Sequence, residues 1–360
     1  LHRTKLVSSL AALALALGAA VGMSASAVQA APKVAFVAAP DSADPAANAS
    51  KALAPSSKLG TPPVLSKPTA PKGVYSLKGA PAKRVGASPR SGVGCPCFYY
   101  NVGSQGFPVA GITPTGTFSN VSLISPTLDT ADGHSLAEVA AQKTTSTGLQ
   151  QTVEVGVTVD RVVNPDAQPR LFVYHWVNNN GTCYNGCGYV DNGAVTTNVG
   201  DVISSSKYLG IEYFASGSGA SPGWWYWISA NNGVCNAGDN TCGWFGYVPD
   251  SVYTGATPAV TNFNNEDLSQ VFGEGAFHDN VAGANCSDIG SPVLATSTAG
   301  ASFGSVQHVG LTVAQVNMFA RVNPSGIGAY WNVVPLGTVG NTRSWRYGGP
   351  GGVTSPCPNP

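Results

Sequence analysis

Charge is scarce in this chain: only 10% of its 360 residues are Asp, Glu, Lys or Arg, and the two signs balance at 18 each. Coiled coils and helical bundles need charged, helix-favouring surfaces, so this composition excludes them. The balance also leaves no polybasic surface, and nucleic acid is not an expected partner. Beyond the first thirty residues no apolar run approaches the ~20 residues that cross a bilayer. Several catalytic motifs are missing as well: there is no Gly-x-Ser-x-Gly elbow, phosphate loop, dinucleotide fingerprint or HExxH. His134, His175, His278 and His308 show no ligand spacing, so no cofactor and no metal is expected.

The neutral total hides a division. Residues 31–90 carry nine basic and two acidic side chains and ten prolines, whereas residues 91–360 carry seven basic and sixteen acidic ones. Ahead of both, Arg3 and Lys5 precede an apolar stretch from Leu6 to Val21 and small residues at Ala25–Ala27 and Val28–Ala30. That order reads as a secretory signal over 1–30, cleaved on export, so the protein is expected to be secreted and extracellular, with no membrane association afterwards. Residues 31–97, rich in Pro, Ala and Lys, bury too little apolar area to offset the entropy of ordering, and read as a disordered leader or propeptide. Opposite charge favours docking of this leader on the acidic body, as an intramolecular inhibitor.

Export makes disulfides the expected fate of the eight cysteines. Cys183 with Cys187 and Cys235 with Cys242 each bracket a short turn-rich loop, which leaves Cys286 and Cys357 to tie down the C-terminal tail. Cys95 and Cys97 flank one proline, and their pairing stays open.

From Phe98 onward, short runs rich in Val, Ile, Tyr, Phe and Trp alternate with clusters of Gly, Asn, Asp and Ser. The pattern predicts an all-β domain over 98–360, an antiparallel sandwich of two large sheets. Short helices are expected at Ser135–Gln142 and, where a strand fits equally, near Ala314–Phe319. In Gln151–Asp160 the valines at 153, 155, 157 and 159 share one face, which sends Glu154 to the other with Gly156. Glycine there reads as open space over a cleft floor, or else Glu154 is a solvated acid on an outer face. Glu274 stands between Gly273 and Gly275, a setting for close backbone approach, a bulge, or an exposed turn. Glu212 is a third acid in an apolar strand, and Glu266 reads as a loop or cap residue.

Val153-Glu154-Val155-Gly156, Pro169–Tyr174, Cys183-Tyr184-Asn185-Gly186-Cys187 and the Gln270–Glu274 segment resemble, in this order, the neprosin family of secreted glutamic-type prolyl endopeptidases. The resemblance implies a two-sheet sandwich whose catalytic pair falls on Glu154 and Glu274. The substrate would then be a peptide or protein containing proline. Family members commonly carry aromatics where this chain has Val157 and Val271, and a branched residue at Gly275, departures expected to alter substrate preference. Two glutamates facing each other across a cleft would share one proton, one acting as base and the other as acid. Tyr174, Trp176, Trp225 and Trp244 offer faces on which a proline ring stacks, although strand aromatics also serve as core. Two rival readings remain: a carbohydrate-binding or lectin-like sandwich, and a glycoside hydrolase using two carboxylates.

Overall fold

A computed structural model describes residues 97–352, apart from 123–125, 161–167, 183, 219, 231–232, 234, 236–238 and 280. The expected signal peptide, nearly all of the expected leader, and Cys95, Cys183 and Cys357 lie outside the described residues. Fifteen strands follow in chain order: β1 (Phe98–Pro108), β2 (Gly116–Val121), β3 (His134–Thr144), β4 (Gln150–Asp160), β5 (Arg170–Val177), β6 (Asn180–Gly181), β7 (Val190–Asp191) and β8 (Lys207–Phe214). They continue with β9 (Gly223–Ser229), β10 (Gly243–Pro249), β11 (Leu268–Phe277), β12 (Ala301–His308), β13 (Val316–Asn323), β14 (Asn332–Val339) and β15 (Thr342–Gly348). Among the described residues one short α-helix, α1 (Asp250–Thr254), follows β10.

The fold is all-β, with two large antiparallel sheets. The first runs in the order β13-β1-β11-β3-β4-β5-β6, and the second β14-β15-β12-β2-β8-β9-β10-β7. Alternation along each strand decides what lies between them. Val153, Val155, Val157 and Val159 of β4 join Val139 of β3, Val271 of β11 and Val173 of β5 in the core. Leu209, Ile211, Trp224, Tyr226 and Ile228 enter the same cluster from β8 and β9. Each fully buried Val or Leu contributes about 1.5–3 kcal/mol relative to exposure, so the period-2 pattern alone fixes which face of β4 points inward.

Ser135–Gln142 is no helix. It lies within β3, at the centre of the first sheet, paired to β11 on one side and β4 on the other. Its Ala, Leu, Glu and Gln favour a helix only mildly, by tenths of a kcal/mol per residue. Two ladders of backbone hydrogen bonds, with Ser135, Ala137, Val139 and Ala141 packed inward, outweigh that. Ala314 belongs to a 3₁₀ turn at Val313–Gln315, and the residues after it enter strand β13.

Cys235 and Cys242 are disulfide-bonded as expected, with Cα atoms 5.4 Å apart. Cys97, Cys187 and Cys286 are also disulfide-bonded. The edge of β5 is closed by loops: Asn185 takes the Val173 amide on its side-chain oxygen at 2.9 Å, and its own amide donates to the Val173 carbonyl at 3.0 Å.

Glu266, in the loop before β11, is fully buried and accepts a 2.7 Å hydrogen bond from Thr117 Oγ1, while its Oε2 has no partner. Burial pushes its carboxyl up to about 8, with a smaller opposing effect from Thr117. The folded state therefore holds this proton more tightly than the unfolded chain. The stability linked to it is complete below pH 4.5 and is lost as pH rises through about 8. Glu266→Gln should raise stability at pH 9 by about 2 kcal/mol and give little gain at pH 4, read as urea midpoints at the two pH values.

Candidate active site

The outward face of the first sheet is where the polar residues of β1, β3, β4 and β11 collect. In register, Glu154 of β4 stands opposite Ala140 of β3, which stands opposite Gln270 of β11. Glu274 of β11 stands opposite Leu136 of β3 on one side and Asn101 of β1 on the other. Direct partners point to the same face, and so do alternate residues along a strand. Glu154 and Glu274 therefore share one face of one sheet, with only β3 between them, instead of confronting each other from two walls. Both are fully buried.

Each has a fixed partner. Trp176 Nε1 donates to Glu154 Oε1 at 3.0 Å. His134 places Nε2 3.1 Å from Glu274 Oε1 and Nδ1 3.7 Å from Asp160 Oδ2, so one imidazole links two carboxylates. The stretch before His134 is tied to the end of β11, where Asp132 Oδ1 accepts from the His278 amide at 2.8 Å and meets its ring Nδ1 at 2.6 Å. Tyr184 packs edge-on against Phe172 and Tyr174, with ring centroids 5.3 and 5.2 Å away. Burial, reinforced by Asp160, Glu274, Tyr174 and Glu138, raises its phenol well above the ordinary value, so Tyr184 keeps its proton as a donor.

Farther along the same face runs a ladder of amides. Gln270 Nε2 donates to Gln142 at 3.4 Å, Gln105 Nε2 to Gln270 at 2.9 Å, and Arg321 Nη1 to Gln105 at 2.6 Å. Asn101, Gln105, Gln270, Phe272 and Arg321 line a small cavity there.

The glycines near the two glutamates act otherwise than expected. The space over Gly156 is filled: a Cβ there would lie 2.2 Å from the Ala137 carbonyl, 2.7 Å from the Phe172 ring and 2.8 Å from Glu138 Cβ. β11 pairs in unbroken register on both sides, so it has no bulge at Glu274. Gly273 instead makes room for Tyr347 and Ile289, and Gly275 for the Phe277 ring, all on the core side.

Of the aromatics expected to meet substrate, Tyr174 and Trp176 lie on this face, Tyr174 directly opposite Glu154. Trp225 and Trp244 do not. Both belong to the second sheet and are buried on its outer side, Trp225 stacked on Tyr247 at 4.3 Å and Trp244 among Phe118, Phe214 and Trp227. Their neighbours in β9, Trp224 and Tyr226, take the core positions, and alternation turns Trp225 away from it. Glu212 is also in the second sheet, opposite Gly116 and Trp225. His175 faces the core beside Tyr253, where burial lowers its ring to about 4.

Sequence reasoning missed His134, Glu138, Asp160 and Tyr184. Glu138 fell within the helix expected over Ser135–Gln142, and His134 counted only as a histidine without ligand spacing. The signal that reveals them is the alternation Ser135, Ala137, Val139, Ala141, which places His134 and Glu138 opposite the small residues. Among the described residues no group of three or more His, Cys, Asp or Glu side chains is placed to hold a metal ion.

An antiparallel sandwich with buried glutamates on the outer face of one sheet defines the class. The chain belongs to the neprosin family: the family model Neprosin matches residues 131–350, a span that contains Glu154, Glu274, Glu138 and His134. Membership points to a hydrolase of the peptidase type. No match is found among the curated proteins. Among solved structures the chain is similar to a beta-porphyranase from the human gut bacterium Bacteroides plebeius, at 9% identity and a TM-score of 0.19, over 61% of this chain and 73% of that one. A likeness that low carries no argument.

Gly156→Ala should cost about 1–3 kcal/mol, because the backbone carbonyl of Ala137 blocks the new methyl and β4 must shift. Urea unfolding measures the loss, and the same shift should weaken any activity that depends on Glu154.

Proposed function

We propose that this protein is a secreted endopeptidase that hydrolyses peptide bonds after proline, with Glu154 and Glu274 as its catalytic pair. The observation that carries the reading is their joint burial on one face of one sheet, with one strand between them, within the span matched to the family. Burying carboxylates costs several kcal/mol each, which a purely structural role rarely justifies on a strand that could carry Thr or Val instead.

In the proposed reaction, Glu154 is the base. An indole N–H only donates, so Trp176 holds Glu154 Oε1 as an acceptor, which suits the carboxylate that must take a proton from water. The water oxygen attacks the scissile carbonyl carbon. Glu274, protonated, gives its proton to the leaving nitrogen as the C–N bond breaks. Tyr184 supplies a hydroxyl donor for the oxyanion that forms on the way. Tyr174 and Trp176, buried beside Glu154, are the aromatics nearest the base, and a proline ring entering the site would pack against them. Catalysis needs Glu154 ionised and Glu274 protonated at the same time, so activity should peak in acid.

The basic leader belongs to the same reading, held on the acidic body at neutral pH and released as carboxylates protonate. Its removal by the protein itself is tested by holding the pure full-length chain in acid. Self-processing predicts a shortened chain in wild type and an uncut one in Glu154→Gln.

Glu154→Gln or Glu274→Gln should each lower kcat/KM on a quenched proline-containing peptide by about 10²–10⁴-fold, with the urea midpoint held within about 1 kcal/mol. Full activity in either variant overturns the assignment. Cleavage of alanine-substituted peptides at the same rate would remove proline preference while leaving the peptidase.

A further inference from the structure

We infer that Glu138 is the proton carrier that returns the catalytic pair to its starting state after each turnover; this rests on the assignment of Glu154 and Glu274 above. The argument begins with stoichiometry. When the amide is cleaved, Glu154 has gained the proton from water and Glu274 has lost one to the leaving amine. The enzyme that remains has its proton on the wrong carboxylate, and the next cycle needs it moved back.

Register shows why the two glutamates cannot exchange it directly. Glu154 and Glu274 are two strands apart across β3, and their β3 partners, Ala140 and Leu136, are four positions apart. At ~4.8 Å between strands and ~3.4 Å per residue, their Cα atoms lie roughly 17 Å apart, beyond the combined reach of two glutamate side chains. Each is also drawn to its own partner, Glu154 to Trp176 on β5 and Glu274 to His134 at the start of β3.

Glu138 occupies the middle of that gap. It stands directly opposite Gly156 on β4 and Phe272 on β11, two positions from Glu154 and two from Glu274. It is thus a diagonal neighbour of both, at the ~7–8 Å from which long side chains still meet. Glycine at 156 lets the approach happen, since any Cβ there would lie 2.8 Å from Glu138 Cβ. All three carboxyls are fully buried. A carboxyl in that position takes the proton from protonated Glu154 on one oxygen and passes one to ionised Glu274 from the other, ending in the charge state in which it began. The remaining titratable groups around it are His134 on its own strand, Asp160 on β4, Tyr174 on β5 and Tyr184 on the loop after β6. His134 and Asp160 lie at the Glu274 end, away from Glu154.

Steady-state kinetics of the full-length protein on a quenched proline peptide separate this role from a structural one. The reset follows the first irreversible step, so a slowed reset lowers kcat and KM together and leaves kcat/KM unchanged. Glu138→Gln, the same size and unable to carry the proton, should lower kcat about tenfold with kcat/KM within about twofold of wild type. Added formate, a small diffusible acid, should restore kcat, and Glu138→Asp should keep at least a fifth of it. The proposal is overturned if Glu138→Gln keeps wild-type kcat, or if kcat/KM falls with kcat and formate does not help. Should Glu138→Gln fail to fold, the Asp variant decides: a formate-responsive kcat at unchanged kcat/KM supports the relay, and a formate-insensitive loss overturns it. Failure of the parent assignment looks different, because then Glu154→Gln or Glu274→Gln would retain kcat/KM.

Discussion

The centre of the first sheet depends on one constraint: β3, β4 and β11 must each hold an apolar side toward the second sheet while the other side carries carboxyls out of water. Val153 and Val155 anchor β4 from below as Glu154 stands between them on the opposite side. The same division recurs in β3, where Val139 is core and Glu138 is not, and in β11, where Val271 is core and Glu274 is not. Because the side-chain period is two, a slip of one residue would drive a glutamate into the apolar layer. The desolvation cost of such a slip, several kcal/mol per charge, enforces the register that brings the carboxyls into line. Packing and chemistry are thus set by a single alternation.

That coupling explains what was legible in the sequence. β4 was, because four valines at alternate positions leave only one phase for Glu154. β3 was not. Its inward positions are Ser135, Ala137, Val139 and Ala141, small enough that the alternation is faint beside the helix propensity of Ala, Leu, Glu and Gln. The most central strand of the site was the hardest to read, and it carried Glu138 out of view with it.

The aromatics show a related limit. Trp224, Trp225, Tyr226 and Trp227 form an unbroken run, and alternation alone says only that odd and even positions part company. Which parity faces the core depends on where the other sheet lies, a long-range fact. Trp224 and Tyr226 go inward, while Trp225 and Trp227 pack in a second aromatic cluster on the far side of the second sheet. In β5 the partnering glutamate settles the matter, because Tyr174 must share the side of Glu154. An ionisable residue of known phase is therefore a better guide to neighbouring faces than the aromatics themselves.

The departures from the family pattern acquire a different meaning once phase is known. Val157 and Val271 are core residues, 5% and 0% exposed, and Gly275 makes space for the Phe277 ring on that same side. Smaller residues at 157 and 271 change how the two sheets pack and do not remove walls from the polar face. On that face the aromatic of the second motif is Phe272, which borders the amide-lined cavity beside Gln270 and Arg321. Under the proposed function, Phe272, Tyr174, Trp176 and the Gln105–Gln270 ladder are the groups that would set this protein's substrate preference. The core substitutions act on them only indirectly, through the spacing of the strands that hold them.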